Sequence, residues 1–192
     1  MKIYNTKLFK LLLLLFIISF VLGMISYFFI DTSYIKTSFI DYINFFNSNS
    51  FNYLGGLFKS LYFNYKYLFL IWISGILLLS FIIIPFLIIY FGLIYGISFM
   101  SLISIYHLKG FLYAFLLIFP SICINMLIYI ICGYFSIKIN HKLFNIIKNN
   151  KSIVINVFFK NYFYKLLIYI FILFISSLIE VFISSNLIKF VV

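Results

Sequence analysis

Residues 67–106 read YLFLIWISGILLLSFIIIPFLIIYFGLIYGISFMSLISIY, and none of them is charged. As one helix this stretch would run about 60 Å, roughly twice the ~30 Å hydrocarbon core of a bilayer, so it must fold back on itself. Pro85 stands near its midpoint and has no amide hydrogen to donate to a helical turn. The spacing predicts two spans, 67–84 and 86–106, joined by a tight turn near Pro85. Gly92 and Gly96 follow at the four-residue spacing that lets a second helix approach closely, and Gly75 is a further small residue at which helices can pack.

Toward the N-terminus, Lys2, Lys7 and Lys10 precede an apolar run over 11–30. That run is longer than the apolar core of a cleaved signal, and no small-x-small site follows before Asp31, so it predicts an uncleaved first span. Residues 31–66 form a polar-leaning connection with Asp31, Asp41, Lys36, Lys59 and Lys66, an Asn/Ser-rich piece over 47–52, and a Gly55-Gly56 break. The piece around 57–68, at its end, fits an interfacial amphipathic helix. On the other side, His107, Lys109 and Gly110 close the pair, and 111–136 makes a fourth span interrupted by Pro120. A basic loop over 137–165 carries Lys138, His141, Lys142, Lys148, Lys151, Lys160 and Lys165 and no acid, before a last span over 166–188.

Composition agrees. Of the 192 residues 66% are hydrophobic and 9% charged, whereas a soluble domain has about 45–50% apolar and ~25% charged residues. The reading is therefore an all-α polytopic membrane protein of about five transmembrane helices, forming one membrane domain over 1–192. The net charge of +11 comes from lysines scattered between apolar runs rather than gathered on a soluble face, so nucleic acid is not an expected partner. Basic segments stay on the cytoplasmic side, which puts the N-terminus and 137–165 inside, 31–66 outside and the C-terminus outside. The expected location is a bacterial cytoplasmic membrane, with the lipid bilayer as partner and a homo-oligomer as an option.

Groups able to do chemistry are few. The chain has three acids (Asp31, Asp41, Glu180), two histidines (His107, His141) and two cysteines. The histidines fall on opposite sides of the predicted membrane. Cys123 and Cys132 fall on opposite sides of one helix and read as small packing residues. No metal, cofactor or catalytic constellation is expected, and the chain is not read as an enzyme. Glu180 stands out because it lies about 21 Å into the last span at ~1.5 Å per residue. Ser176, Ser177 and Ser184 share its helix face and can donate to it. Intramembrane carboxylates are costly and face a partner or a cavity, so this group is the candidate polar site. Pro120 frees the carbonyl of Leu116, which Ser121 or Asn125 can satisfy locally.

Several features in order resemble the stage II sporulation protein M family. They are Trp72-Ile73-Ser74-Gly75-Ile76 opening the second span, Pro85, Gly92 and Gly96 in the third, Lys109-Gly110, Phe119-Pro120, and the ending Leu178-Ile179-Glu180-Val181-Phe182-Ile183-Ser184. The resemblance covers nearly the whole chain. It departs where Pro120 is followed by Ser121-Ile122 rather than a Gln-Asn pair. It implies a non-catalytic membrane scaffold that recruits a cell-wall lytic transglycosylase and an amidase, remodelling peptidoglycan during forespore engulfment. The competing reading is a permease or transporter membrane component, with Glu180 as a coupling group. The absence of any internal repeat and of a charged partner in the other spans weighs against it.

Overall fold

The computed structural model describes residues 7–30, 37, 53–115, 119–148 and 153–184. Asp31, Asp41, the Asn/Ser-rich piece over 47–52 and the end of the predicted last span lie outside the described residues. The described residues form five long helices. α1 spans Lys7–Ser26 and ends in a 3-10 turn, Tyr27–Phe29; α2 spans Tyr53–Ile76, α3 Ser80–Tyr113, α4 Phe119–Lys148 and α5 Ile153–Leu178, which runs on into a π-helical turn, Ile179–Ser184.

Among the described residues, four segments are long and apolar enough to cross a bilayer: 7–29, 80–113, 122–141 and 160–182. α2 is 24 residues, about 36 Å, and so also long enough, but it carries Lys59, Asn64 and Lys66. On α1, Leu11, Leu14, Ile18, Val21, Leu22 and Ile25 are all exposed. Only hydrocarbon can solvate such a face at no cost. The protein is a multi-pass membrane protein.

Helix boundaries differ from the sequence reading at three places. The first turn falls at Leu77–Leu79 rather than at Pro85. There Leu78 adopts φ 60°, and the amide of Leu79 donates to the carbonyl of Ser74 at 3.2 Å, the bond that closes a helix end through a left-handed residue. Pro85 lies inside α3, past its first turn, where its missing amide leaves the carbonyl of Phe81 without a helical donor. The second difference is that α2 is helical from Tyr53 and α4 through Lys148, so much of both predicted loops extends the spans.

The third lies at the end of α3. His107 takes φ 52°, ψ −124°, breaking the helix, and the following residues fold back along it. Phe111 meets Phe99 at 6.2 Å and Tyr113 meets Tyr106 at 5.2 Å between ring centroids. Gly110 makes this reversal possible, since a Cβ there would collide with the carbonyl of Leu102. Pro120 stands second in α4, a position where a proline costs the helix no hydrogen bond. The carbonyl of Leu116 lies outside the described residues.

α1 packs most extensively along α3, while α2 packs on α4 and α5. The α1–α3 seam is built on small residues. A Cβ on Gly96 would collide with the main chain of Phe20 and come within 2.8 Å of the Met24 amide. One on Gly92 would strike the Ser19 side chain, and one on Gly23 the Leu93 carbonyl. The close approach predicted from Gly92 and Gly96 is present, and its counterpart is Ser19-x-x-x-Gly23 on α1. Phe91 and Tyr129 stack at 5.2 Å in the centre, among Leu68, Ile71, Ile88 and Leu173. Cys132 is buried, and Cys123 borders an apolar cleft of about 360 Å³ with Phe16, Phe20, Phe99 and Ile122. Both cysteines are free.

Candidate functional site

Contacts between helices define the two ends of the bundle. At one end Phe9 meets Tyr134, Asn140 donates to Ser80 at 2.6 Å, and Tyr162 donates to the Trp72 carbonyl at 2.8 Å. At the other, Phe20 meets Phe99, and α2 meets the end of α5. Glu180 belongs to this second end.

Ser60 of α2 donates to Glu180 Oε2 at 2.8 Å. Asn64, one turn further along α2, is the hub of a larger hydrogen-bond network. Its Nδ2 donates to Ser177 at 3.1 Å and, more weakly, to Ser60 at 3.4 Å. Its Oδ1 accepts from Asn125 Nδ2 and from the Tyr129 hydroxyl, each at 3.3 Å. Tyr129 also reaches the Asn64 carbonyl at 3.2 Å. Asn64, Asn125, Tyr129 and Ser177 are all buried. Three helices are thus tied by one connected set of hydrogen bonds, each worth more inside a bundle than on a wetted surface because no water competes. Tyr53 stacks on Phe182 at 5.5 Å and 7°, closing the same end.

Of the serines predicted to serve Glu180, neither Ser176 nor Ser177 is its donor. Ser177 accepts from Asn64 and gives its own hydrogen to the Leu173 carbonyl at 3.0 Å. Ser176 is fully buried, and its hydroxyl has no hydrogen-bond partner among the described residues. The Ser184 side chain is not among those described. The physical reason is the π-helical winding of Ile179–Ser184: it departs from the 3.6-residue turn on which the predicted shared face rested. The donor that does serve the carboxylate comes from α2. Asn125, expected to mend a carbonyl beside Pro120, spends its amide on Asn64 instead, and its Oδ1 has no partner among the described residues.

Sequence reasoning missed Ser60, Asn64 and Tyr129. A signal existed: Ser60, Asn64, Leu68, Ile71 and Gly75 recur at helical spacing, and the last four are buried. Reading residues 31–66 as a connection hid it. Gly75 belongs to a second polar seam near the opposite end. The Tyr162 hydroxyl and the Ser136 Cβ would lie 2.6 and 2.9 Å from a Cβ on Gly75, and Ser136 and Tyr162 share a 2.8 Å hydrogen bond. Tyr162 also stacks on Trp72 at 5.1 Å.

A bundle of apolar helices whose interior polar groups bond one another across helices is that of a polytopic α-helical membrane protein. The family model described as Stage II sporulation protein M matches residues 12–185, from within α1 through the π-helical turn, and the chain belongs to that family. No curated protein and no solved structure matches it.

Proposed function

We propose that the chain is a non-catalytic scaffold of the bacterial cytoplasmic membrane that recruits peptidoglycan-degrading enzymes during forespore engulfment. Family membership makes it a sporulation-related membrane protein, and the finer role rests on three supports. The lysine pattern puts the Glu180 end outside, where cell-wall enzymes work. The resemblance names a lytic transglycosylase and an amidase as the recruited pair. The observation that carries the reading is the tie from Ser60 to Glu180, with the Tyr53–Phe182 stack beside it. It joins the helix that follows 31–52 to the helix that leads to the C-terminus, the two pieces of chain that would present themselves to partners. A scaffold needs such a fixed platform, because a partner that must first order its docking surface binds more weakly.

The test is to incubate the purified chain, free of partners, with peptidoglycan, and to analyse what it binds in its native membrane. The reading expects no muropeptides from the chain alone and co-purification of wall hydrolases. Muropeptide release by the isolated chain would overturn it.

A further inference from the structure

Tyr134 and Phe135 are consecutive on α4, with ring centroids 5.5 Å apart. Each holds an ammonium group. Lys138, one turn along, places Nζ 5.9 Å from the Tyr134 ring; Lys165, from α5, places Nζ 3.5 Å from the centre of Phe135. Tyr134 also meets Phe9 edge-on at 6.4 Å, which draws the start of α1 to the same place with its exposed Lys7 and Lys10. Three helices thus bring lysines to the same end of the bundle, and no Asp or Glu occurs in 7–26, 119–148 or 153–178.

Their depth is equally specific. Lys7 begins one candidate span, Lys138 lies near the end of another (Ile122–His141), and Lys165 near the start of a third (Lys160–Phe182). All of them therefore stand where hydrocarbon gives way to headgroups. The two rings hold two ammonium groups in place, so a ligand that meets them pays less for ordering long lysine side chains.

We propose that this end of the bundle binds the phosphate headgroup of an anionic phospholipid, with Lys138 and Lys165 as the fixed pair and Lys7 and Lys10 closing from α1. A lysine ammonium suits a phosphate as a compact point charge. The surroundings select a lipid over a soluble anion. Leu11 and Leu14 of α1 and Leu167 and Ile168 of α5 are exposed beside the lysines, a wall that acyl chains cover and a free phosphate does not.

The experiment places the full chain in nanodiscs of mixed phosphatidylglycerol and phosphatidylcholine and counts retained lipids by native mass spectrometry. Wild type should keep phosphatidylglycerol preferentially. Lys138→Gln and Lys165→Gln should each lower that preference about fivefold, the effect of one lysine near a charged surface. Lys109→Gln, at the opposite end, should leave it unchanged, and the Lys138→Arg/Lys165→Arg pair should retain it. Equal retention of both lipids by wild type would overturn the proposal, as would an unchanged preference in the double Gln variant. So would loss of preference in the Arg pair, which would show packing rather than charge at work, or displacement of the lipid by inorganic phosphate.

Discussion

Ser60 and Glu180 lie 120 positions apart in the chain, yet the Ser60 hydroxyl donates to the Glu180 carboxylate at 2.8 Å. A carboxylate in an apolar span is stable only if protonated, paired or hydrogen-bonded, and here a neighbouring helix supplies the donor. The bond also fixes the register of α2 against the π-helical end of α5.

A double-mutant cycle isolates that bond. Ser60→Ala and Glu180→Ala should couple by about 0.6 kcal/mol, with ~1.7 kcal/mol as the upper range seen for hydrogen bonds between membrane helices. Glu180→Gln keeps an acceptor facing Ser60 and should lose less stability than Glu180→Ala. Unfolding in detergent or bicelles measures all four species. Additive single losses would mean that the two side chains do not act together.

Asn64 should be the most sensitive polar position. Asn64→Leu removes the acceptor of Asn125 and Tyr129 and the donor to Ser177, leaving buried groups unpaired, at about 1–3 kcal/mol. Ser176→Ala deletes a buried hydroxyl that has no partner among the described residues and should be neutral or slightly stabilising. The two variants, compared by thermal unfolding, separate a bonded hub from a merely polar neighbour.

The α1–α3 seam should reject any enlargement at Gly96. The first atoms met by a new side chain belong to the main chain of Phe20 and Met24, which cannot step aside as a rotamer does. Gly96→Leu should cost more than the ~1–3 kcal/mol usual for overpacking. Gly133→Ala should cost less, because the nearest atom there, at 2.7 Å, is a methyl carbon of the Ile84 side chain. Equal unfolding temperatures for the two variants would show that α1 is not held through this contact.

Leu78 offers a prediction of the opposite sign. Its φ of 60° is a left-handed conformation that costs a residue with a Cβ roughly 1–2 kcal/mol. Glycine removes that strain and gives back about 0.5–1 kcal/mol through its freer unfolded chain. Leu78→Gly should therefore gain about 0.5–1 kcal/mol, and Leu78→Val, β-branched at the same φ, should lose stability. Thermal unfolding of the two variants beside wild type checks the sign.

That turn also shows why part of the fold was legible in the sequence and part was not. The absence of charge over 67–106 forces a reversal, and the reversal exists. Its place was hidden because Leu77-Leu78-Leu79 contains no glycine, asparagine or proline, while Pro85 nearby carries the strongest turn signal in the stretch. Gly92 and Gly96 were readable since close backbone approach demands small residues. Glu180 was readable because one carboxylate in a hydrocarbon span has few explanations. Its donor was not, because Lys59 and Lys66 make the first half of α2 look like a connection until Asn64 is seen buried against three other side chains. The π-helical winding after Leu178 leaves no mark in residue spacing.

Recovery of cell-wall enzymes by variants at equal membrane abundance shows whether the Glu180 end is their fixed platform. Wild type and Glu180→Gln should bring down the same wall hydrolases from native membranes, since both keep an acceptor for Ser60. Glu180→Ala, which removes the Ser60 tie and leaves α2 held to α5 there by the Asn64–Ser177 bond and the Tyr53–Phe182 stack alone, should recover markedly less while inserting normally, because removing a charge favours the membrane by about 2.5–3.5 kcal/mol. Recovery of hydrolases by Glu180→Ala at the wild-type level would mean that the Ser60–Glu180 tie does not hold their docking surface.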